Sequence, residues 1–199
     1  MHPRRPTTAV RVAAPVAAEF MNENARLLEI VRLGHPVLRS IAEEVPEDWF
    51  GSGRLVELGR DMVRTMIEEQ GVGLAAPQVA DGLRLFTYWV PDSEEHPEIA
   101  PTVLVNPELR AIGDEMEEGW EGCLSIPGLR GLVPRFRRVK VKARTVDGDP
   151  VSLTADGFHA RVIQHENDHL DGVVFLDRMT STQSLAFEPE WERYLLGAE

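Results

Sequence analysis

The chain has 199 residues, 43% of them hydrophobic and 27% charged, a balance that suits one globular domain with a sizeable core. A formal net charge of −12 argues against broad, non-specific nucleic-acid binding over the whole surface. One cysteine excludes an internal disulfide, and no stretch approaches the length of a membrane-spanning helix.

Residues 1–18 carry Arg4, Arg5 and Arg11 and no acid. That is one mark of a transit peptide, but serine is missing and the prolines break any amphipathic helix. The plainer reading is a disordered leader, or an over-long start with Met21 as the true first residue. Leu33 to Leu38 reads as an extended entry and turn, in which His35 before Pro36 is structural. Leu55 to Glu69 has helical periodicity, with Leu55, Val56, Leu58, Met62, Val63, Met66 and Ile67 on the buried side and Gly71 ending it. The run Gly71-Val72-Gly73-Leu74-Ala75-Ala76-Pro77-Gln78 fits no nucleotide-binding spacing and has no lysine. Its glycines let backbone approach a substrate closely, while Leu74, Ala75 and Ala76 pack inward.

Leu83 to Val90 and Thr102 to Val105 are rich in strand formers, with a polar loop containing His96 between them. Leu109 to Trp120 is expected to form a hairpin through Gly113-Asp114, delivering Glu121 and Cys123. From Phe136 to Val146, Val139, Val141 and Ala143 alternate with Arg138, Lys140, Lys142 and Arg144. No acid occurs between Glu121 and Asp147, so this is a basic strip on an acidic protein. Its lysines suit a solvated face that discourages edge pairing. A short strand, Val151 to Thr154, leads into the next helix. Gln183 to Leu196 is expected to be helical, with Trp191, Tyr194 and Leu195 on one side and an interruption at Pro189.

The most informative stretch is Gln164-His165-Glu166-Asn167-Asp168-His169, an H-E-x-x-H pattern. On a helix, residues four apart share a face, so His165 and His169 can offer two imidazoles to one metal ion. Glu166 lies beside that face, where its carboxylate can reach a water on the metal without ligating it. Phe158 and Val162 continue the histidine stripe, Ile163 and Leu170 flank Glu166, Asp156 is a candidate N-cap and Gly172 a stop. No histidine follows His169, and the later glutamates Glu188, Glu190, Glu192 and Glu199 lie in an acidic tail read as peripheral. The third ligand is therefore sought upstream, at Cys123 in Glu121-Gly122-Cys123-Leu124-Ser125. A His2-Cys site with an open fourth position is catalytic in form and suits Fe(II), Zn(II) or Co(II). A thiolate ligand needs a reducing compartment.

These three motifs, in this order, resemble those of the peptide deformylases, and the resemblance runs from about Ile30 to Met179. It implies an α+β fold of one domain, with antiparallel β-sheets packed around the H-E-x-x-H helix. On that basis residues 1–27 are a leader, 28–180 the deformylase domain and 181–199 a partly helical tail. The implied activity removes the N-formyl group from newly made polypeptides. By that resemblance Glu166 would activate a water on the metal for attack on the formyl carbon. The resemblance carries the metal ligands onto Cys123, His165 and His169, and the oxyanion-holding positions onto Gln78 and the Leu124 N–H. The implied native metal is Fe(II), with Zn(II), Ni(II) or Co(II) as substitutes. The formyl-Met peptide would add as a strand near Gly73 and Gly122, with Val72, Phe158 and His165 about its methionine pocket and Arg130 at the mouth. The location implied is bacterial-type cytoplasm, or an organelle if the leader is a transit peptide. The basic strip, Arg138, Lys140, Lys142 and Arg144, is then a candidate for transient contact with ribosomal RNA, with no stable nucleic-acid complex and no membrane partner. Two rivals are a metallopeptidase that cleaves internal peptide bonds and a metal-stabilised binding module.

Overall fold

The computed structural model describes residues 24–93 and 97–196; residues 1–23 of the leader, and His96, lie outside the described residues. One sheet is built from Gly73–Ala75 (β1), Leu85–Val90 (β2), Ile99–Ala111 (β3), Arg138–Arg144 (β6) and Pro150–Asp156 (β7), in the order β1-β2-β3-β6-β7. The second joins Met116–Cys123 (β4), Ile126–Phe136 (β5) and Ala186–Phe187 (β8), in the order β4-β5-β8. All named strand pairs are antiparallel. The helices are Gly53–Glu68 (α1), Gly157–Leu170 (α2), Phe175–Arg178 (α3) and Glu188–Tyr194 (α4). The architecture is a single α+β domain.

The larger sheet is covered unevenly, and its sequence shows it. On β2, Phe86, Tyr88 and Val90 join Ala160, Ile163 and Leu170 of α2 in one cluster, while Leu85 joins Met62, Val63 and Met66 of α1 in another. Covered on both faces, β2 reads as a nearly unbroken apolar run. On β6 only one face is covered. Val139, Val141 and Ala143 are buried in the α2-side cluster, and Lys140 and Lys142 are exposed. Because β6 lies between β3 and β7, its lysines mark a solvated sheet face; they do not guard an edge.

α1 spans Gly53–Glu68 and buries Leu55, Met62, Val63 and Met66, but Ile67, expected inside, is 38% exposed. The helix is closed by Gln70 at φ 57°, not by Gly71. The Gln70 N–H donates to the Ile67 carbonyl (3.0 Å) and the Gly71 N–H to that of Met66 (2.8 Å). That is the Schellman pattern, with glutamine in the left-handed position that usually favours glycine. α2 closes the same way with a glycine: Gly172 at φ 72°, and Val173 N–H to Asp168 O at 2.9 Å.

Further expectations are overturned. Leu109 to Trp120 is not a hairpin: β3 pairs with β2 and β6, and β4 pairs with β5. Gly113 does turn, at φ 75°, but the turn carries the chain from one sheet to the other. The β5–β6 strand crosses the same corner alongside it, with Ile112 N–H on Arg138 O and Arg137 N–H on Glu115 O, both 3.0 Å. Pairing between the strands that bend together replaces the local hairpin. In the tail, Pro189 does not interrupt the helix; it stands in the first turn of α4, where its missing N–H costs nothing. Tyr194 and Leu195 are exposed, at 62% and 37%, so Trp191 alone of that trio packs, edge-on against Trp120 with centroids 6.0 Å apart.

Candidate metal centre

α2 contacts β1, β2 and β7 of the larger sheet and β5 of the smaller, so its inward face is sealed from both sides. His165, Glu166 and His169 are buried on it, with His169 fully so. Cys123 ends β4 at the turn into β5, where Leu124 and Ser125 form the bend. The donor atoms of Cys123, His165 and His169 lie within 4.8 Å of one another. Cys123 Sγ stands 3.3 Å from His169 Nε2, and the two imidazole rings meet edge-on with centroids 5.1 Å apart. The His169 Nδ1 and Glu166 Oε2 atoms are buried without a hydrogen-bond partner in the structure. Burial pulls the His169 pKa well below its usual value, reinforced by the neighbouring His165, which favours the neutral, ligating imidazole. A thiol and two imidazoles gathered within reach of one another fit a divalent ion of borderline softness.

One glycine of the first motif is explained by the helix opposite, the other by the Leu124 side chain, which a Cβ at Gly71 would overlap. A Cβ at Gly73 would overlap the Glu166 carboxylate, so only glycine lets β1 approach α2 this closely. Burial raises the Glu166 pKa to about 7. Gln78 sits in the 3-10 turn Ala76–Val79 that follows β1. Its Oε1 accepts from the Ala75 N–H (2.8 Å), which leaves Nε2 aimed at Cys123 Sγ (3.5 Å) and Ser125 Oγ (3.3 Å).

Both loops are fastened by the segment preceding α1. The Arg26 and Leu28 N–H groups donate to Asp61 Oδ1 (2.7 Å) and Thr65 Oγ1 (2.9 Å) on α1. Farther on, Val31 N–H meets Gln78 O and Leu33 N–H meets Ser125 O, both at 2.8 Å. The buried Asp61 and Thr65, polar residues on the apolar side of a helix, are thereby satisfied.

Behind the candidate ligands lies an ionic cluster that the motifs do not reveal. Glu121 accepts from Arg135 Nε and Nη2, Arg161 Nη1 and His165 Nδ1, each at 2.9 Å. Arg135 Nη1 reaches on to Asp168 Oδ2 at 2.5 Å, and Arg178 closes on the same carboxylate. Burial pushes the Glu121 pKa up, but the hydrogen bonds and charges of Arg135 and His165 outweigh it and hold the carboxyl well below the usual range. Arg161 and Asp168 could have been noticed one turn before and three residues after His165, on the buried face of α2; nothing local in β5 marked Arg135.

A cleft of about 790 Å³ opens onto this floor, lined among others by Val72, Gly73, Gln78, Gly122, Cys123 and Leu124. Phe158, His165, Glu166 and Arg130 complete its wall, with Phe158 39% exposed at the rim. The structure thus brings together every residue singled out from the motifs, with His169 beneath the cleft floor. Glu188, read above as peripheral, is in the wall as well: pairing of β8 with β5 brings the tail back to the cleft.

The model of the polypeptide deformylase family matches residues 27–184. The chain belongs to the peptide deformylase family. Peptide deformylase 2 of Pseudomonas putida is 46% identical over 154 residues, covering 76% of this chain and 86% of that protein. Peptide deformylase 1 of Prochlorococcus marinus is 45% identical over 168 residues, or 82% of this chain and 86% of that one. Among solved structures, the class I type b deformylase of Acinetobacter baumannii with Met-Ala-Ser bound superposes with a TM-score of 0.74 at 39% identity, covering 78% of this chain and 99% of that one. The Thermotoga maritima deformylase gives 0.70 at 36% identity, with 78% and 99% covered.

The hydrogen bond from His165 Nδ1 to Glu121 orients one candidate ligand of the site. Replacing Glu121 with Gln is expected to weaken metal binding about 10- to 100-fold, measured by competition against a chelator. An affinity equal to the parent's would show that His165 needs no such support.

Proposed function

We propose that this chain hydrolyses the N-formyl group from the formyl-methionine of newly made polypeptides, using Cys123, His165 and His169 to hold one divalent ion. The observation that carries the proposal is the closeness of those three donors beneath a cleft whose floor also holds a buried carboxylate. Fe(II) is the proposed native ion, with Zn(II), Ni(II) or Co(II) as functional substitutes, since one thiolate and two imidazoles tolerate each of them. Bound there, the ion supplies Lewis acidity toward the formyl oxygen and toward a water.

Glu166 takes the proton of the attacking water and passes it to the departing amine. A pKa near 7 suits a group that must both accept and donate at neutral pH. The Gln78 amide, fixed by Ala75, and the Leu124 N–H, which follows Cys123 in the turn, stabilise the developing oxyanion, at about 3 kcal/mol each. The peptide adds as a strand near Gly73 and Gly122, and Val72, Phe158 and His165 surround its methionine side chain. The domain proper is taken as residues 28–180, with the tail from 181 as its outer wall. The proposed location is bacterial-type cytoplasm; no helix among the described residues is long and apolar enough to cross a membrane.

Contact with ribosomal RNA through the basic strip is proposed in a reduced form. Arg138 is paired with Asp156 and Arg144 with Glu47, so Lys140 and Lys142 on the open face of β6 carry the attraction. Reversing Arg138, Lys140 and Lys142 to Glu should weaken binding to ribosomes and flatten its salt dependence. Unchanged binding would remove the strip from the account.

Glu166→Ala should keep its metal and lose turnover of formyl-Met peptides by several orders of magnitude, while Cys123→Ser should lose metal or change its preference. Retained turnover in the first variant, or unaltered metal content in the second, would reject the assigned roles. Acetylated and unblocked peptides, assayed alongside, separate deformylation from general peptidase action.

A further inference from the structure

The tail has a place in the cleft that the proposed chemistry does not use. Leu129 and Arg130 of β5 pair with Phe187 and Ala186 of β8, and this sets Glu188, the next residue, beside the Arg130 guanidinium. Arg130 Nε donates to Glu188 Oε1 at 3.0 Å, and Nη2 closes on the same oxygen. The Trp191 ring lies below, 5.3 Å from the guanidinium carbon, and Trp191 in turn packs on Trp120. The guanidinium rests on Gly122 so closely that a Cβ there would overlap it. One glycine of the proposed peptide-pairing backbone therefore carries a cation on top of it, and the tail supplies the anion that holds that cation.

The pair is neither buried nor free. Its side chains are 35% and 37% exposed, so either member can meet a charge on an incoming chain. Glu29, Glu69 and Glu188 stand around the cleft against Arg32 and Arg130, leaving the rim one charge negative. Without Glu188 the rim is neutral and Arg130 is open to a carboxylate.

We propose that Glu188 is a specificity residue: by occupying Arg130 it sets the cleft against acidic side chains, and in favour of basic ones, in the residues that follow the methionine. This rests on the deformylase reading and adds to it the charge of the preferred substrate. Electrostatics at a one-third-exposed pair are modest and screened by salt, so the effect is a tuning of substrates and not a gate.

The test is a set of amidated peptides, formyl-Met-Ala-X and formyl-Met-X-Ala, with X as Lys, Ser or Glu, assayed on the full chain loaded with metal. The parent should favour Lys over Glu in kcat/KM by about threefold at one or both positions. Glu188→Gln should erase or invert that ratio, and Arg130→Gln, with Glu188 left in place, should deepen it. Salt near 0.5 M should flatten the parent's preference toward that of Glu188→Gln. A Lys-to-Glu ratio that is the same in parent and Glu188→Gln overturns the proposal. So does an equal loss on all three residues, which would make Glu188 only an anchor for the tail. Failure of the parent to cleave any formyl peptide would strike the deformylase reading itself; cleavage of all of them alike would strike only this inference.

Discussion

The site depends on one buried carboxylate. Glu121, at the end of β4, is shared by Arg135 of β5, Arg161 of α2 and a metal-ligand candidate, His165. Those contacts tie the smaller sheet to the helix that also packs on the larger one, so the distance between Cys123 and the two histidines follows from how Glu121 is satisfied. A carboxylate in that position is costly unless fully paired, and removing one partner from such a cluster typically costs about 3–5 kcal/mol. Asp168, linked through Arg135 and Arg178, fastens the other side of the helix in the same way. The cluster holds α2 in register while the apolar clusters on the two faces of the large sheet provide the bulk of the stability.

Much of this was legible in the sequence where the signal was local. The helical spacing of His165 and His169, the stop at Gly172, and the inward run Leu74-Ala75-Ala76 need only neighbouring residues to be read. Gly73 was legible as a close approach, but its partner was not, because Glu166 lies far along the chain. The same limit explains the wrong hairpin: Gly113-Asp114 has the composition of a tight turn, and only the pairing of β4 with β5 decides where the chain goes next. Long β-strands that change sheets at a corner carry no local mark of the change. Arg135 falls in the same class, since within β5 it reads as one more cation in a basic run.

The tail shows the opposite error. Its acidic composition suggested a solvated end, and α4 is largely exposed. Yet two residues of strand pairing and one tryptophan suffice to bring Glu188 over the cleft. Net charge describes a surface and not a site: at −12 the chain is acidic overall, but charges at the cleft act through the particular group they face.

The central claim is that Cys123, His165 and His169 share one ion. X-ray absorption at the metal edge, on protein prepared without oxygen, tests it most directly. The expected result is one ion per chain with a single sulfur at about 2.3 Å and two imidazole nitrogens at about 2.0–2.1 Å, if zinc is used. A shell of nitrogen and oxygen alone, with the Cys123 thiol still free, would contradict it.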